Sequence, residues 1–176
     1  QIRELLSKAT EAMKNFQGVG RRFQLMGSVK KNGADIPVID DYGHHPKELA
    51  ATFTALRGAY PECRLVSIFQ PHRYSRTQDL FDEFVSVLTT ADELVLLPVY
   101  PAGEQRTVGA ESKDLAQSIR RLGQCRPYVE SQFEQVIDRI EALIEPNDVI
   151  LIQGAGSIGR LPAQLIDRLG GSCELV

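Results

Sequence analysis

The chain has 176 residues, 43% of them apolar, and a formal net charge of −3. This length and apolar content suit one domain with its own core, and the negative charge gives no electrostatic reason to expect nucleic acid or an anionic membrane surface as a partner. No apolar run reaches the roughly 18 residues of a membrane span, and the three cysteines are widely spaced without a CxxC pair, which argues against a disulfide framework and a zinc–thiolate site. We therefore expect a soluble, cytoplasmic domain.

The beginning of the chain has the apolar spacing of a helix, with apolar side chains at Leu5, Leu6, Ala9, Ala12, Met13 and Phe16. The chain starts with Gln1 rather than Met, inside this pattern. We therefore expect residues 1–176 to be a single domain of a longer protein.

The rest of the chain first predicts a hairpin and then alternates between helix and strand. Strands are predicted at 22–29 and 36–40 around Lys31-Asn32-Gly33, which is typical of a hairpin turn. The later strands are predicted at 65–69, 94–99, near Tyr128 and at 149–152, and the helices begin at about residues 46 and 76 and then cover 113–122, 133–144 and 158–169. This order predicts an α/β fold, a Rossmann-like three-layer sandwich whose mostly parallel sheet has an antiparallel hairpin strand near its N-terminus.

Two helix starts have the spacing of a capping box, in which a serine precedes a glutamate or glutamine by three residues. Ser75 with Gln78 and Ser131 with Glu134 fit this pattern. The first of them predicts that Arg76 is the first residue of its helix.

Two polar motifs follow predicted strands and precede predicted helices. They are residues 40–46 (DDYGHHP) and 69–76 (FQPHRYSR), and together they contain all three histidines. Because the loops at the carboxyl ends of parallel strands face the ligand crevice, we expect the two motifs to form one site.

The arginines of the second motif lie at the predicted start of a helix. Arg73 and Arg76 suit a carboxylate or phosphate there, because the helix N-terminus also attracts anions. The alternative is a surface pair bridged to Asp79 or Asp82.

The first motif combines a carboxylate, a phenol and an imidazole in Asp41, Tyr42 and His44. These groups can accept or donate a proton or hold a polar ligand. The alternatives are a structural turn with an incidental histidine and a metal site, the latter disfavoured because His44 and His45 are adjacent and lack helical ligand spacing.

Three further segments carry possible phosphate or ligand contacts. Residues 154–159 (GAGSIG) match G-x-G-x-x-G between a strand and a helix, but no complete βαβ unit follows, so close packing is favoured over a dinucleotide site. Arg21 and Arg22 follow a glycine-flanked turn and could reach a phosphate or be solvated. Residues 98–104 form a fourth loop at the same edge, or an ordinary rigid loop.

Residues 41–46 (DYGHHP), with 18–23 (GVGRRF), resemble the carboxyl-terminal domain of the Mur ligase family, the ATP-dependent amide-forming enzymes of peptidoglycan precursor synthesis. Residues 69–76, 100–104 (YPAGE) and 153–156 (QGAG) are similar to the branch that joins L-alanine to UDP-N-acetylmuramate. Such enzymes have a UDP-binding domain, a central ATPase domain and a third domain, and only the third is represented here.

This resemblance implies a reaction in which the muramyl carboxylate becomes an acyl phosphate that the amine of L-alanine attacks. It implies that Arg22 and Asp41 contact ATP, that Tyr42, His44, Arg73 and Arg76 surround L-alanine, and that His44 or Asp41 accepts the proton. ATP and Mg²⁺ are expected in the complete enzyme, with none bound by this domain alone and the isolated fragment inactive. The rival hypothesis is a free-standing module that binds a nucleotide or phosphate through the Gly154–Gly159 loop.

Overall fold

A computed structural model describes residues 20–173. The helix expected at the beginning of the chain therefore lies outside the described residues. Within them, none of the helices is long and apolar enough to cross a bilayer. All three cysteines have free thiols.

The described residues form a single mixed sheet with helices on both faces. The strands are β1 (Gln24–Lys31), β2 (Ala34–Asp41), β3 (Arg64–Phe69), β4 (Glu93–Leu96), β5 (Pro127–Val129), β6 (Asp148–Gln153) and β7 (Ser172–Cys173). The α-helices are α1 (Pro46–Ala59), α2 (Tyr74–Asp79), α3 (Phe81–Leu88), α4 (Ser112–Leu122), α5 (Phe133–Leu143) and α6 (Leu161–Arg168), and a 3₁₀ helix (Ser157–Arg160) precedes α6.

The sheet has the order β5-β4-β3-β6-β2-β1-β7. Strands β2 to β6 pair in parallel, whereas β1 is antiparallel to both β2 and β7. The predicted α/β class, the parallel sheet and the antiparallel hairpin are therefore confirmed. Strand β7 was not predicted, because its two residues are too few to show a periodic pattern.

The core has two halves, one on each face of the sheet. Apolar side chains of α1, α3 and α4 cover one face, and those of α5 and α6 cover the other. All six residues of β6 are buried. This is why β6 reads as a continuous apolar run and why its polar last residue, Gln153, lies inside the protein.

The two predicted capping boxes are wrong. Helix α2 begins at Tyr74 rather than Arg76, and the hydroxyl of Ser75 donates to Glu104 instead of closing its own helix. The helix expected from residue 76 is also broken at Leu80, where α3 follows α2. At the second site, the Gln135 side chain accepts from the backbone N–H groups of residues 131 and 132, one residue later than the Ser131–Glu134 box predicts.

We expect the buried carboxylate of Asp148 to stabilise the amino-terminal end of the sheet. It accepts from Arg64 Nε at 2.8 Å and Nη2 at 3.1 Å and joins β3 to β6. Asp148→Ala should lower the free energy of unfolding by roughly 2 kcal/mol, because it removes the two hydrogen-bonded oxygens of the partly buried guanidinium and leaves it only Glu93 and Glu145, each at 3.7 Å. Denaturant titration measures this change.

The matched control is Asp138→Ala, which removes the carboxylate of the exposed pair with Arg168. This variant should change stability by less than about 0.5 kcal/mol. Equal effects of the two variants would contradict the role assigned to Asp148.

Candidate functional site

The loops after β2, β3, β4 and β6 meet at the carboxyl edge of the sheet. Asp41 and Phe69, near the ends of β2 and β3, both pair with Gln153 at the end of β6. The two polar motifs therefore come together over β6, and the imidazole rings of His44 and His72 lie 5.7 Å apart between centroids.

Asp41 is buried beneath this edge and is fully engaged with the protein. Its carboxylate accepts four hydrogen bonds, from Phe23 N (3.0 Å), Gly43 N (2.9 Å), Gln153 Nε2 (2.9 Å) and Thr52 Oγ1 (3.3 Å). Oδ1 is the acceptor in three of these contacts and Oδ2 in one, and the side chain is buried, so this carboxylate orients its surroundings more than it offers acceptors to a ligand.

Arg21 forms an internal ion pair and is neither free for a phosphate nor simply solvated. Its Nε lies 2.8 Å from Asp40 Oδ2, and its Nη2 donates to the carbonyl of Gly154 at 2.7 Å. Burial raises the pKa of Asp40, and the adjacent guanidinium opposes that rise. Arg21 therefore ties the segment before β1 to the ends of β2 and β6.

Arg22, by contrast, is about half exposed. Its guanidinium carbon lies 5.6 Å from the centroid of the Tyr42 ring, and its Nη1 is 3.9 Å from Glu48 Oε1. These weak contacts leave its donors available to an anion from outside the domain.

Four aromatic rings form a row along the edge of the site. Tyr42 meets His44 edge to face at 5.4 Å, His44 meets His72 at 5.7 Å, and His72 stacks on Tyr100 at 5.4 Å. His72 and Tyr100 were not predicted as site residues, although both lie within the motifs at 69–76 and 100–104. Their proximity to His44 depends on the strand order, which a local pattern does not contain.

The hydrogen bonds of His44 fix which ring nitrogen carries its proton. Nδ1 lies 3.1 Å from the carbonyl oxygen of Tyr42. Because a carbonyl can only accept, Nδ1 carries the proton in the neutral ring and Nε2 keeps its lone pair. His44 is therefore arranged as a proton acceptor.

His72 has the opposite arrangement. Arg76 Nη1 lies 3.4 Å from His72 Nδ1, and a guanidinium can only donate, so the neutral ring carries its proton on Nε2. Burial, together with the positive charges of nearby Arg76 and Arg73, lowers the pKa of His72. His72 is therefore a neutral hydrogen-bond donor at neutral pH.

His45 caps α1 and plays no part in this row. Its Nδ1 accepts from Lys47 N at 3.2 Å, while Glu48 Oε2 accepts from the backbone N–H groups of both His44 and His45. Burial alone would raise the pKa of Glu48, but these two N–H donors hold it below its usual range. The motif thus divides its histidines between a helix cap and a site residue.

Arg73 and Arg76 lie beside His72, at the start of α2. Arg73 is half exposed, with Nη1 3.7 Å from Glu104 Oε1, and Arg76 Nη1 donates to the carbonyl of His72 at 3.2 Å. The carboxylate that approaches Arg73 thus belongs to Glu104 rather than to Asp79 or Asp82. The anion expected at the N-terminus of this helix is also Glu104, which accepts from Ser75 N at 3.0 Å.

The glycine-rich loop is tightly packed, as the packing interpretation predicted. A Cβ on Gly156 would lie 2.6 Å from Gln70 Oε1 and 2.7 Å from the Tyr100 ring, and one on Gly154 would lie 2.8 Å from the carbonyl of Gln70. Gln70 Oε1 also accepts from Ile158 N at 3.0 Å, a donor that a phosphate-binding loop would offer to its ligand.

We expect the backbone conformation of Arg73 to be strained. Its φ of 72° and ψ of 133° are unfavourable for any residue with a Cβ, at a cost of roughly 1–3 kcal/mol. Arg73→Gly should therefore be more stable than Arg73→Ala by about 1 kcal/mol, after allowing for the greater unfolded-state entropy of glycine.

Thermal or denaturant unfolding of this chain measures the difference. The control is the same pair of substitutions at Arg76, inside α2, where alanine should be the more stable residue by up to about 1 kcal/mol. The same order of stability at both positions would contradict the assignment of strain to Arg73.

Comparison with known proteins shows which family the chain resembles. A sequence model described as "Mur ligase, glutamate ligase domain" matches residues 21–156. The UDP-N-acetylmuramate-alanine ligase of Thermotoga maritima is 29% identical, with a TM-score of 0.67 over 90% of this chain and 32% of that one. A domain from a Haemophilus ducreyi 35000HP protein, named as a UDP-N-acetylmuramate:L-alanyl-gamma-D-glutamyl-meso-diaminopimelate ligase, is 25% identical, with a TM-score of 0.61 over 84% of this chain and 99% of that one.

The murein peptide ligase of Psychrobacter arcticus 273-4 shares the fold, with a TM-score of 0.65 at 23% identity over 94% of this chain and 32% of that one. The chain thus spans 32% of the length of the Thermotoga and Psychrobacter ligases. Because the family model covers most of its residues, the chain belongs to the Mur ligase family.

Proposed function

We propose that the chain is the amino-acid-binding third domain of a cytoplasmic ligase that joins L-alanine to UDP-N-acetylmuramate at the expense of ATP. The UDP-binding and ATPase domains belong to the rest of the complete enzyme, and the isolated domain is inactive. The likeness to the Thermotoga alanine ligase and the arginine-containing motif at 69–76 support this choice of substrate.

The observation that carries the proposal is a proton acceptor placed beside two guanidinium groups. His44 offers Nε2 as an acceptor, and its ring lies 5.7 Å from that of His72, whose Nδ1 is contacted by Arg76 and whose next residue in the chain is Arg73. An α-amino acid carries its carboxylate and its amine on the same carbon, so it needs a cation and an acceptor at short spacing. The arginines suit the carboxylate, and His44 suits the amine.

In the proposed reaction, His44 Nε2 accepts a proton as the amine becomes nucleophilic. Free amines are mostly protonated at neutral pH and cannot attack until they lose that proton. The nitrogen lone pair then forms a bond to the carbonyl carbon of the acyl phosphate. Phosphate leaves with the electron pair of the broken C–O bond and takes the second proton that the nitrogen loses on becoming an amide. His44 supplies the general base, and the arginines hold the substrate in position for attack.

Asp41 serves this site as a positioning residue in the proposal. The resemblance assigns it to ATP or to proton transfer, but four internal donors already occupy its oxygens. The exposed guanidinium of Arg22 is the better group for contact with ATP. Tyr42, which lies against both Arg22 and His44, forms the boundary between the ATP and amino-acid regions.

Magnesium has no ligand set among residues 20–173, where no three His, Cys, Asp or Glu side chains come together in a way that could hold a metal ion. The proposal therefore assigns Mg²⁺ to the rest of the complete enzyme. The rival nucleotide-binding module is disfavoured because Gln70 already occupies the Ile158 N–H and Tyr100 fills the space above Gly156.

The first test is Arg73→Ala in the complete ligase. Loss of a charge-assisted contact to the substrate carboxylate should raise the KM for L-alanine roughly 10- to 100-fold and leave the KM for ATP within about twofold. Steady-state kinetics with each substrate varied in turn measures both constants. Arg168→Ala, at an exposed pair on α6, is the control and should change neither.

Equal increases in the two KM values would contradict the carboxylate-binding role of Arg73. Absence of L-alanine-dependent ADP formation by the unmodified complete protein would contradict the proposed function itself.

The second test is His44→Ala, which removes the proposed base. It should slow amide formation roughly 100-fold or more, while acyl phosphate, trapped with hydroxylamine, still forms at the normal rate. His45→Ser is the matched control, since serine preserves a cap at the start of α1 and this variant should keep full activity. An unchanged rate of amide formation in His44→Ala would show that another group takes the proton.

A further inference from the structure

The loop at residues 100–104, between β4 and α4, is joined directly to the segment that carries Arg73. Tyr100 N donates to the carbonyl of Pro71, and Arg73 N donates to the carbonyl of Tyr100, both at 2.8 Å. His72 and Tyr100 also form a parallel bridge, with their rings stacked. The backbone on both sides of His72, up to the N–H of Arg73, is therefore set by this loop.

The loop then turns back so that its last residue, Glu104, faces the start of α2. Ala102 and Gly103 both have positive φ, at 48° and 87°, and Glu104 N closes the turn on the carbonyl of Pro101 at 3.0 Å. Such a turn is costly at Ala102, as is the backbone of Arg73. The two strained residues, Ala102 and Arg73, thus lie on either side of the contact between Glu104 and the start of α2.

The carboxylate of Glu104 is shared between Ser75 and Arg73. Oε1 accepts from Ser75 Oγ at 2.6 Å, and Oε2 accepts from Ser75 N at 3.0 Å. These two donors hold the pKa of Glu104 below its usual range, so the group is ionised at neutral pH. Arg73 Nη1 lies 3.7 Å from Oε1, within the range of an ion pair but beyond that of a hydrogen bond.

This geometry attracts the guanidinium of Arg73 without using up its donors. A direct bidentate pair would satisfy Arg73 internally and compete with a substrate carboxylate. Ser75 instead donates one hydrogen bond to each oxygen of Glu104, and the negative charge acts on Arg73 across a gap of 3.7 Å. Arg73 is held in place and still has donors to offer.

We propose that Glu104 is a positioning residue for the amino-acid substrate, which fixes the backbone and guanidinium of Arg73 so that Arg73 can bind the substrate carboxylate. This inference rests on the proposed function and adds to it the role of the 100–104 loop. Glu104 itself does not touch the substrate; it acts through Arg73 and Ser75.

The test is Glu104→Gln in the complete ligase, which keeps the size of the side chain and removes its charge. The KM for L-alanine should rise roughly tenfold, while kcat and the KM for ATP stay within about twofold. Asp138→Asn removes a charge from the exposed pair on α5, on the opposite face of the sheet, and should change none of these constants. Equal changes in both KM values, or none, would overturn the inference.

A double-mutant cycle separates positioning from a general effect on folding. If Glu104 acts through Arg73, Glu104→Gln should raise the KM for L-alanine no further once Arg73 is alanine. Multiplicative effects of the two substitutions would show that Glu104 acts independently of Arg73 and would overturn the inference. Ser75→Ala, which removes one partner of Glu104 and leaves its charge, provides a second variant and should raise the same KM by a smaller factor.

The cycle also distinguishes this inference from the proposed function. A normal KM for L-alanine in Arg73→Ala would remove the basis of both. A raised KM in Arg73→Ala with normal values in Glu104→Gln and Ser75→Ala would overturn the positioning role alone.

Discussion

The site depends on one buried carboxylate, that of Asp41. Its hydrogen bonds reach the segment before β1, the loop after β2, helix α1 and the end of β6, through Phe23, Gly43, Thr52 and Gln153. Gly43 has to be glycine here, because a Cβ would lie 2.6 Å from Asp41 Oδ1. Four separate parts of the chain are thus joined by one side chain around the turn that presents Tyr42 and His44.

The strand order explains why the two motifs can meet. Strand β6 lies between β2 and β3, so the loops after β2 and β3 have to approach each other above its end. They can do so only if the loop after β6 does not fill the space between them. Gly154 and Gly156 leave this space open because neither has a side chain that would collide with Gln70 or Tyr100. The G-x-G-x-x-G pattern therefore has a physical role in this fold, which is clearance for Gln70 and Tyr100 rather than a phosphate cradle.

Sequence reasoning predicted the features that depend on local periodicity or on a general rule of sheets. Alternating strands and helices gave the fold class, and the rule that loops at one sheet edge converge placed His44 near Arg73 and Arg76. Sequence patterns did not predict the features that depend on a partner far along the chain. Ser75 bonds to Glu104, 29 residues away, rather than to its own helix, and Arg21 pairs with Asp40 across the first hairpin. A local pattern offers these side chains several partners, and only the packed structure selects one.

The two central histidines show how far such selection goes. His44 and His72 are the same residue type, with their rings 5.7 Å apart, yet a carbonyl on one and a guanidinium on the other give them opposite tautomers. The first is left with an acceptor nitrogen and the second with a donor. Burial and the nearby guanidinium groups of Arg76 and Arg73 also lower the pKa of His72, which disfavours a positive charge on that ring. His72 therefore stays neutral between His44 and the guanidinium of Arg76, and it separates the acceptor end of the site from its anion-binding end.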